Sequence, residues 1–318
     1  MGIVGSRNLE GVLFLLRLAR LPVTIAVLVL TAALATVMVA ALGAPLGRPA
    51  EAAGERVLVG AGDIATCGES GDERTADLLD GIPGTVFTTG DNAYESGTAA
   101  QFAECYDPGW GRHKDRTRPV PGNHDYGTAG ASGYFGYFGV AAGDPSKGYY
   151  SYDLGGWHVV AVNSACEQVG GCGPDSPMVS WLKRDLATNP ARCTLAYWHH
   201  PLFSSGEHGN ETRMRTVWSA LYRANADVVV NGHDHDYERF APQSPGGKLD
   251  RSRGIREFVV GTGGRELRPF DSIRPNSRAR SANAFGVMKL TLGARAYNWK
   301  FVPVAGETFT DSGTGRCH

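Results

Sequence analysis

One pattern constrains this chain more than any other: short apolar runs stop at a glycine or a turn residue, and a side chain able to bind metal follows. Its clearest instance is Val228-Val229-Val230, three β-branched residues that read as a buried parallel strand. The run enters Asn231-Gly232, a turn signal, and then His233-Asp234-His235. In an open α/β sheet, ligands gather in the crevice outside the carboxyl ends of the strands. Two imidazoles delivered there by one loop can each offer a nitrogen to a metal. A His-Xaa-His pair on its own describes a solvated loop equally well.

Four further runs make the same stop. Residues 56–60 lead to Asp63, and 85–89 lead to Gly90-Asp91-Asn92-Ala93-Tyr94. Residues 118–121 enter Gly122-Asn123-His124-Asp125, and 194–198 end in His199-His200-Pro201. Singly, each has an ordinary explanation as a turn residue, a loop cap or a structural histidine. Five such coincidences in one chain, all at strand ends, favour a shared site.

The elements around these stops alternate in the first half of the chain and turn β-rich in the second. Helices are expected over 73–80 (capped by Asp72), 177–187 and 212–225. A hairpin is expected over 149–154 and 157–163, turning at Gly155-Gly156, and later strands near 255–260, 287–291 and 297–302. The Gly- and aromatic-rich segment 127–143 reads as a surface loop near the site. The implied class is layered α/β (α+β) with two sheets.

The first 52 residues differ from the rest. Arg7, Arg17 and Arg20 precede an uncharged run from Leu21 to Leu46, and Ala50-Glu51-Ala52 offers a small-Xaa-small cleavage pattern. Residues 1–52 are therefore expected to be a signal peptide, or an N-terminal membrane anchor if uncleaved, since the run is long enough to span a bilayer. Residues 53–318 would form one domain facing a secreted or extracytoplasmic space. There, an even cysteine count suggests disulfides. Cys166 and Cys172 flank a Gly-containing segment as a local pair; Cys67–Cys105 and Cys193–Cys317 would complete the set. No CxxC occurs, which argues against a cysteine-based zinc site. The net charge of −1 gives no basic field for nucleic acid, and the oligomeric state is left open.

The donors at the five stops suit one another. Carboxylate, phenolate, amide oxygen and imidazole are hard or borderline ligands, appropriate to Fe, Mn or Zn. A carboxylate can bridge two cations about 3.5–4 Å apart, the spacing used for in-line displacement at phosphorus. A Gly-Xaa-Ser-Xaa-Gly elbow and a P-loop are both absent.

Taken in order, Asp63-Ile64-Ala65, Gly90-Asp91-Asn92-Ala93-Tyr94, Gly122-Asn123-His124-Asp125, Ala196-Tyr197-Trp198-His199 and Gly232-His233-Asp234-His235 resemble the motifs of the calcineurin-like metallophosphoesterases. Tyr94 resembles the iron-binding tyrosine of the purple acid phosphatases, and the chain looks like their short, single-domain kind. The resemblance implies a two-sheet β-sandwich core flanked by helices in four layers. It implies a binuclear centre, with Fe(III) held by Asp63, Asp91, Tyr94 and His235. A divalent Fe, Zn or Mn would be held by Asp91, Asn123, His199 and His233, with Asp91 bridging.

It further implies that His124 contacts the substrate phosphate, oriented by Asp125 through its other ring nitrogen, and that His208 aids the leaving group. His200 is a weaker candidate, explained as well by packing beside Pro201. Two departures stand out: Ala65 where the family usually has Gly, which leaves the path of that loop open, and Ala196 where it usually has Val. The implied function is an exported acid phosphatase acting on small phosphate monoesters by metal-activated hydroxide attack. A phosphodiesterase or nucleotide hydrolase with the same metals is the alternative. A metal-binding module without turnover is the third reading.

Overall fold

The run at 228–230 is the middle of a parallel set, and its surroundings explain why it carries no polar residue. The computed structural model describes residues 55–318, so the leader expected over 1–52 lies outside the described residues. In chain order the strands are β1 (Arg56–Ala61), β2 (Ala65–Thr66), β3 (Thr85–Thr88), β4 (Ala93–Tyr94), β5 (Thr117–Arg118), β6 (Tyr150–Leu154) and β7 (Trp157–Ala161). They continue with β8 (Cys193–Tyr197), β9 (Val228–Asn231), β10 (Tyr237–Phe240), β11 (Arg256–Val260), β12 (Ser277–Ser281), β13 (Gly286–Leu292), β14 (Ala296–Pro303) and β15 (Ser312–Arg316).

Two sheets result. The first has the order β15-β14-β13-β1-β3-β5, and the second β12-β10-β11-β9-β8-β7-β6. In the first sheet the parallel strands β1-β3-β5 run to one edge, with antiparallel β13 on their other side; in the second the parallel set β11-β9-β8-β7 has antiparallel strands on both flanks. Parallel neighbours end on the same side, so their carboxyl ends cluster at one edge of each sheet. Rings from opposite sheets meet between them: Phe87 with Tyr197 at 5.7 Å, Phe258 with Trp299 at 5.7 Å and Tyr237 with Phe301 at 4.6 Å.

Helices close the outer faces. On the second sheet, α3 (Pro177–Thr188) and α4 (Arg215–Arg223) bury Met178, Leu182, Val217 and Trp218 against Val160, Ala196, Trp198 and Val229. Leu195, Val228 and Val230 face the inter-sheet core instead. Strands buried on both faces read as continuous apolar runs, which is why the periodicity at β8 and β9 is lost. Helix α1 (Gly71–Asp80) adds Ala76 and Leu79 to the core cluster that includes Leu58, Val86 and Val287 of the first sheet. The architecture is the expected α/β sandwich flanked by helices.

Several boundaries differ from expectation. Asp72 does not cap α1: Ser70 holds the cap position, and Asp72 is buried in the first turn. The helix expected over 212–225 opens as a 3-10 turn, Thr212–Met214, before α4. The larger difference is at 127–143. In place of a surface loop it forms α2 (Ser132–Phe138), which buries Tyr134, Phe135 and Phe138. Phe138 meets Phe102, Tyr106, Tyr134 and Tyr137 at centroid distances of 5.0–5.7 Å. The aromatic residues of the segment serve this cluster, and its glycines allow the close turns between.

The cysteines pair as Cys67–Cys105, Cys166–Cys172 and Cys193–Cys317. The last joins β8 of the second sheet to the tail after β15 of the first, closing a long loop of chain.

Because α2 is part of the core, Phe138→Ala should lower unfolding free energy by about 3–5 kcal/mol. Denaturant titration checks this; a loss near zero would return the segment to the surface.

Candidate metal centre

Backbone hydrogen bonds bring the strand ends together before any side chain is considered. Asp63, Ile64 and Ala65 donate their N–H groups in turn to Gly90, Asp91 and Asn92 at 3.0–3.1 Å. Ala65 then pairs with Ala93 across β2 and β4, so the departure at this position leaves an ordered path. Gly122 and Gly232 permit close approaches to the two aspartates. A Cβ on Gly122 would lie 2.1 Å from Asp91 Oδ1, and one on Gly232 would lie 2.5 Å from Asp63 Oδ2. Asp63, Asp91 and His233 themselves adopt left-handed backbone, with φ of 59°, 50° and 74°. Non-glycine residues are rarely found there, and such strain concentrates at functional sites.

The side chains converge in two overlapping groups. In the first, Tyr94 Oη lies 3.0 Å from Asp63 Oδ1, 3.1 Å from Asp91 Oδ2 and 3.3 Å from His235 Nε2. His235 Nε2 is 3.5 Å from Asp63 Oδ1. In the second, His199 Nε2 lies 3.0 Å from Asn123 Oδ1, 3.2 Å from His233 Nδ1 and 3.3 Å from Asp91 Oδ2. Asp91 belongs to both.

These atoms fit cations. His199 Nδ1 donates to Thr89 O at 2.9 Å, and His235 Nδ1 donates to Glu266 O at 2.8 Å. Carbonyls only accept, so in each neutral ring Nε2 presents its lone pair to the centre. The phenol of Tyr94 has one hydrogen for three acceptors. Ligand atoms about 2.0–2.2 Å from one ion sit roughly 3–3.5 Å apart, the range observed here.

The ionisation of these groups shows the same surplus of acceptors. Burial works against charge on His199, but the Asp91 carboxylate outweighs it and raises that imidazole to about 9. Burial raises the Asp63 carboxyl, and it raises the Tyr94 phenol with help from Asp63 and Asp91. Burial lowers His235 to about 4 and, with the neighbouring imidazoles, holds His233 well below its ordinary value. A proton on His199 partly offsets the crowding of lone pairs. Cations offset it for every donor.

The remaining candidates border this group. His124 is partly exposed; its Nδ1 donates to Glu95 O at 2.6 Å, and its ring lies 4.6 Å from that of Tyr94. Asp125 does not orient it. That carboxylate is buried and accepts from the N–H groups of Asn92 and Gly122 and from Asn92 Nδ2 at 2.9–3.2 Å. It therefore ties the second strand end to the third. His208 is exposed and stacks on His233 at 4.3 Å. His200 is buried, with Nδ1 2.8 Å from Ser164 Oγ, which accounts for it structurally.

A sixth strand end went unread in the sequence. After β11, the stretch Gly261-Thr262-Gly263-Gly264-Arg265-Glu266 supplies the Glu266 carbonyl that orients His235. The Arg265 guanidinium stands 4.8 Å over the Tyr94 ring. Arg268 approaches His208 Nε2 at 3.3 Å. The same rule of an apolar run stopped by glycine would have found this loop.

A family model described as calcineurin-like phosphoesterase matches residues 57–237. Purple acid phosphatase 21 of Arabidopsis thaliana is 36% identical over 100 residues, covering 30% of this chain and 22% of its own. Purple acid phosphatase 15 of the same plant is 28% identical over 220 residues, covering 56% and 41%. The chain thus matches less than half the length of these curated relatives. A purple acid phosphatase from yellow lupin (Lupinus luteus) seeds superposes with a TM-score of 0.62 at 20% identity, over 82% of this chain and 53% of that one. GAP50, the anchor in the inner membrane complex of Plasmodium, superposes with a TM-score of 0.60 at 14% identity, over 83% and 88%. At those identities the structures share the fold.

His199 Nε2 faces Asn123, His233 and Asp91, so His199→Ala should empty that group and leave purified protein with roughly half the metal of the wild type by elemental analysis. Asp125→Asn, which keeps most of its acceptor role, should retain nearly all of it. Full occupancy in His199→Ala would contradict this arrangement.

Proposed function

Because the chain belongs to the calcineurin-like phosphoesterase family, we propose that it is an exported, metal-dependent phosphatase of purple acid type acting on small phosphate monoesters. The observation that carries this reading is the Tyr94 hydroxyl set among Asp63, Asp91 and His235. A buried phenol with more acceptors than hydrogens suits a tyrosinate on a ferric ion. Fe(III) is assigned to Asp63, Asp91, Tyr94 and His235, and a divalent Fe, Zn or Mn to Asp91, Asn123, His199 and His233. When bound, the pair supplies a nucleophile near neutral pH and neutralises charge on the phosphoryl oxygens.

The chain's own groups complete the site. With Nδ1 of His124 held by the Glu95 carbonyl, its Nε2 is the edge left to meet a substrate phosphate. His208, exposed beside His233, is placed to assist the leaving group. Asp125 acts by fixing the backbone beside Asp91 and Asn123. Export is supported by the paired cysteines and by the order of charge and hydropathy in residues 1–52. Among the described residues, no helix is long and apolar enough to cross a membrane.

A phosphodiesterase or nucleotide hydrolase would use the same donors, so the substrate must decide. With metal-loaded protein, p-nitrophenyl phosphate should be turned over at least about tenfold more efficiently than bis-p-nitrophenyl phosphate, a difference of about 1.4 kcal/mol in barrier. The reverse preference would make the diesterase reading correct. No turnover of either ester by protein holding two metals would point to a binding module.

A further inference from the structure

Asp234 lies between two candidate ligands yet faces away from the donors, and the function proposed above gives it no role. It is 1% exposed. One carboxylate oxygen accepts the His208 backbone N–H at 2.8 Å, and the other accepts the Ser204 hydroxyl. Ser204 Oγ in turn accepts the Gly206 N–H at 3.0 Å, and the Ser204 N–H donates to Asn210 Oδ1 at 3.0 Å. The loop is thus gathered onto one buried anion. Glycine at 206 allows the approach, since a Cβ there would fall 2.4 Å from Asp234 Cγ.

This loop presents His208. The ring itself is weakly held: it stacks on His233 at 4.3 Å, and Arg268 reaches its Nε2 at 3.3 Å. Asp234 anchors the backbone of the same residue. The turn carrying His233 and His235 therefore also fixes the distance between the metal centre and His208.

We propose that Asp234 is a positioning residue whose buried carboxylate holds residues 204–208 and so sets His208 over the metal centre. Hydrogen bonds to a charged acceptor are the stronger kind, and burial strengthens them further. A displacement of about 1 Å at a catalytic group can cost about 10²-fold in rate. The inference rests on the proposed role of His208, and its test separates the two.

The experiment uses the full chain loaded with metal, in wild type, Asp234→Ala, Asp234→Asn, Ser204→Ala, His208→Ala and the Asp234→Ala/His208→Ala double variant. Phenyl phosphate and p-nitrophenyl phosphate differ in leaving-group basicity, so a misplaced acid should harm the former more. Asp234→Ala and His208→Ala should each lose up to about 10²-fold in kcat/KM on phenyl phosphate and several-fold less on p-nitrophenyl phosphate. The double variant should lose no more than His208→Ala, Asp234→Asn should recover most of the loss, and metal content should match wild type.

A second readout needs no activity. Cleavage after Glu207 by a glutamate-specific protease should speed up in Asp234→Ala and Ser204→Ala but not in His208→Ala. Multiplying losses in the double variant, metal loss in Asp234→Ala, or wild-type cleavage rates in both loop variants would overturn the proposal. Should wild type hydrolyse neither ester, the phosphatase reading fails, and the protease result alone decides whether Asp234 holds the loop. If Asp234→Ala does not fold, Ser204→Ala carries both readouts.

Discussion

The centre of this protein is a surplus of lone pairs. Asp63, Asp91, Tyr94, Asn123, His199, His233 and His235 form two overlapping groups whose neighbouring acceptor atoms lie 3.0–3.5 Å apart, with too few hydrogens to satisfy them. Such a cluster is unfavourable in a buried place unless cations enter it. The fold must hold these groups against that repulsion. It does so with backbone: the ladder from 63–65 to 90–92, the Asp125 carboxylate on Asn92 and Gly122, and the glycines that admit neighbouring chains. Left-handed backbone at Asp63, Asp91 and His233 marks where local preference yields to that demand.

The two-sheet architecture makes the convergence possible. Parallel strands place several carboxyl ends on one side, and each sheet contributes: Asp63, Asp91 and Asn123 follow strands of the first, His199 and His233 follow strands of the second. The aromatic contacts between sheets fix the distance across which the two sets meet. Core packing and site geometry are therefore the same problem, and a shift of one sheet would open the donor cluster.

The buried strands of the sheets were legible because β-branched and apolar runs stopped at a glycine or, after Trp198, at His199-His200-Pro201. That the cysteines pair was legible from their even number, and Cys166–Cys172 from its short spacing; the other two partners depend on contacts distant in sequence. What escaped has physical causes. Helix α2 hid behind Gly130, Gly133, Gly136 and Gly139, which lower local helix preference, while tertiary packing of Tyr134 and Phe138 overrode it. Strand β15 hid because Gly313 and Gly315 carry no strand signal; rings of Trp299 and Tyr297 lie across them, 2.2–2.3 Å from where a Cβ would stand. Strand β12, Ser277–Ser281, has Ala279 as its one apolar residue because it is an edge strand with Arg278 and Arg280 exposed. Asp125 was misassigned because adjacency in sequence does not set where a side chain points: its carboxylate turns to Asn92, away from the neighbouring ring. Asp234 and Arg268 act through backbone and loop contacts that no local pattern encodes.

Tyr94 carries the ferric reading, since a tyrosinate ligand would distinguish a ferric centre from two divalent ions. The direct measurement is the visible absorption spectrum of the purified, metal-loaded protein beside that of Tyr94→Phe. A broad visible band in wild type that disappears in Tyr94→Phe, with iron retained, is the predicted result. The same band in both proteins, or a colourless wild type holding two metals, would contradict the assignment.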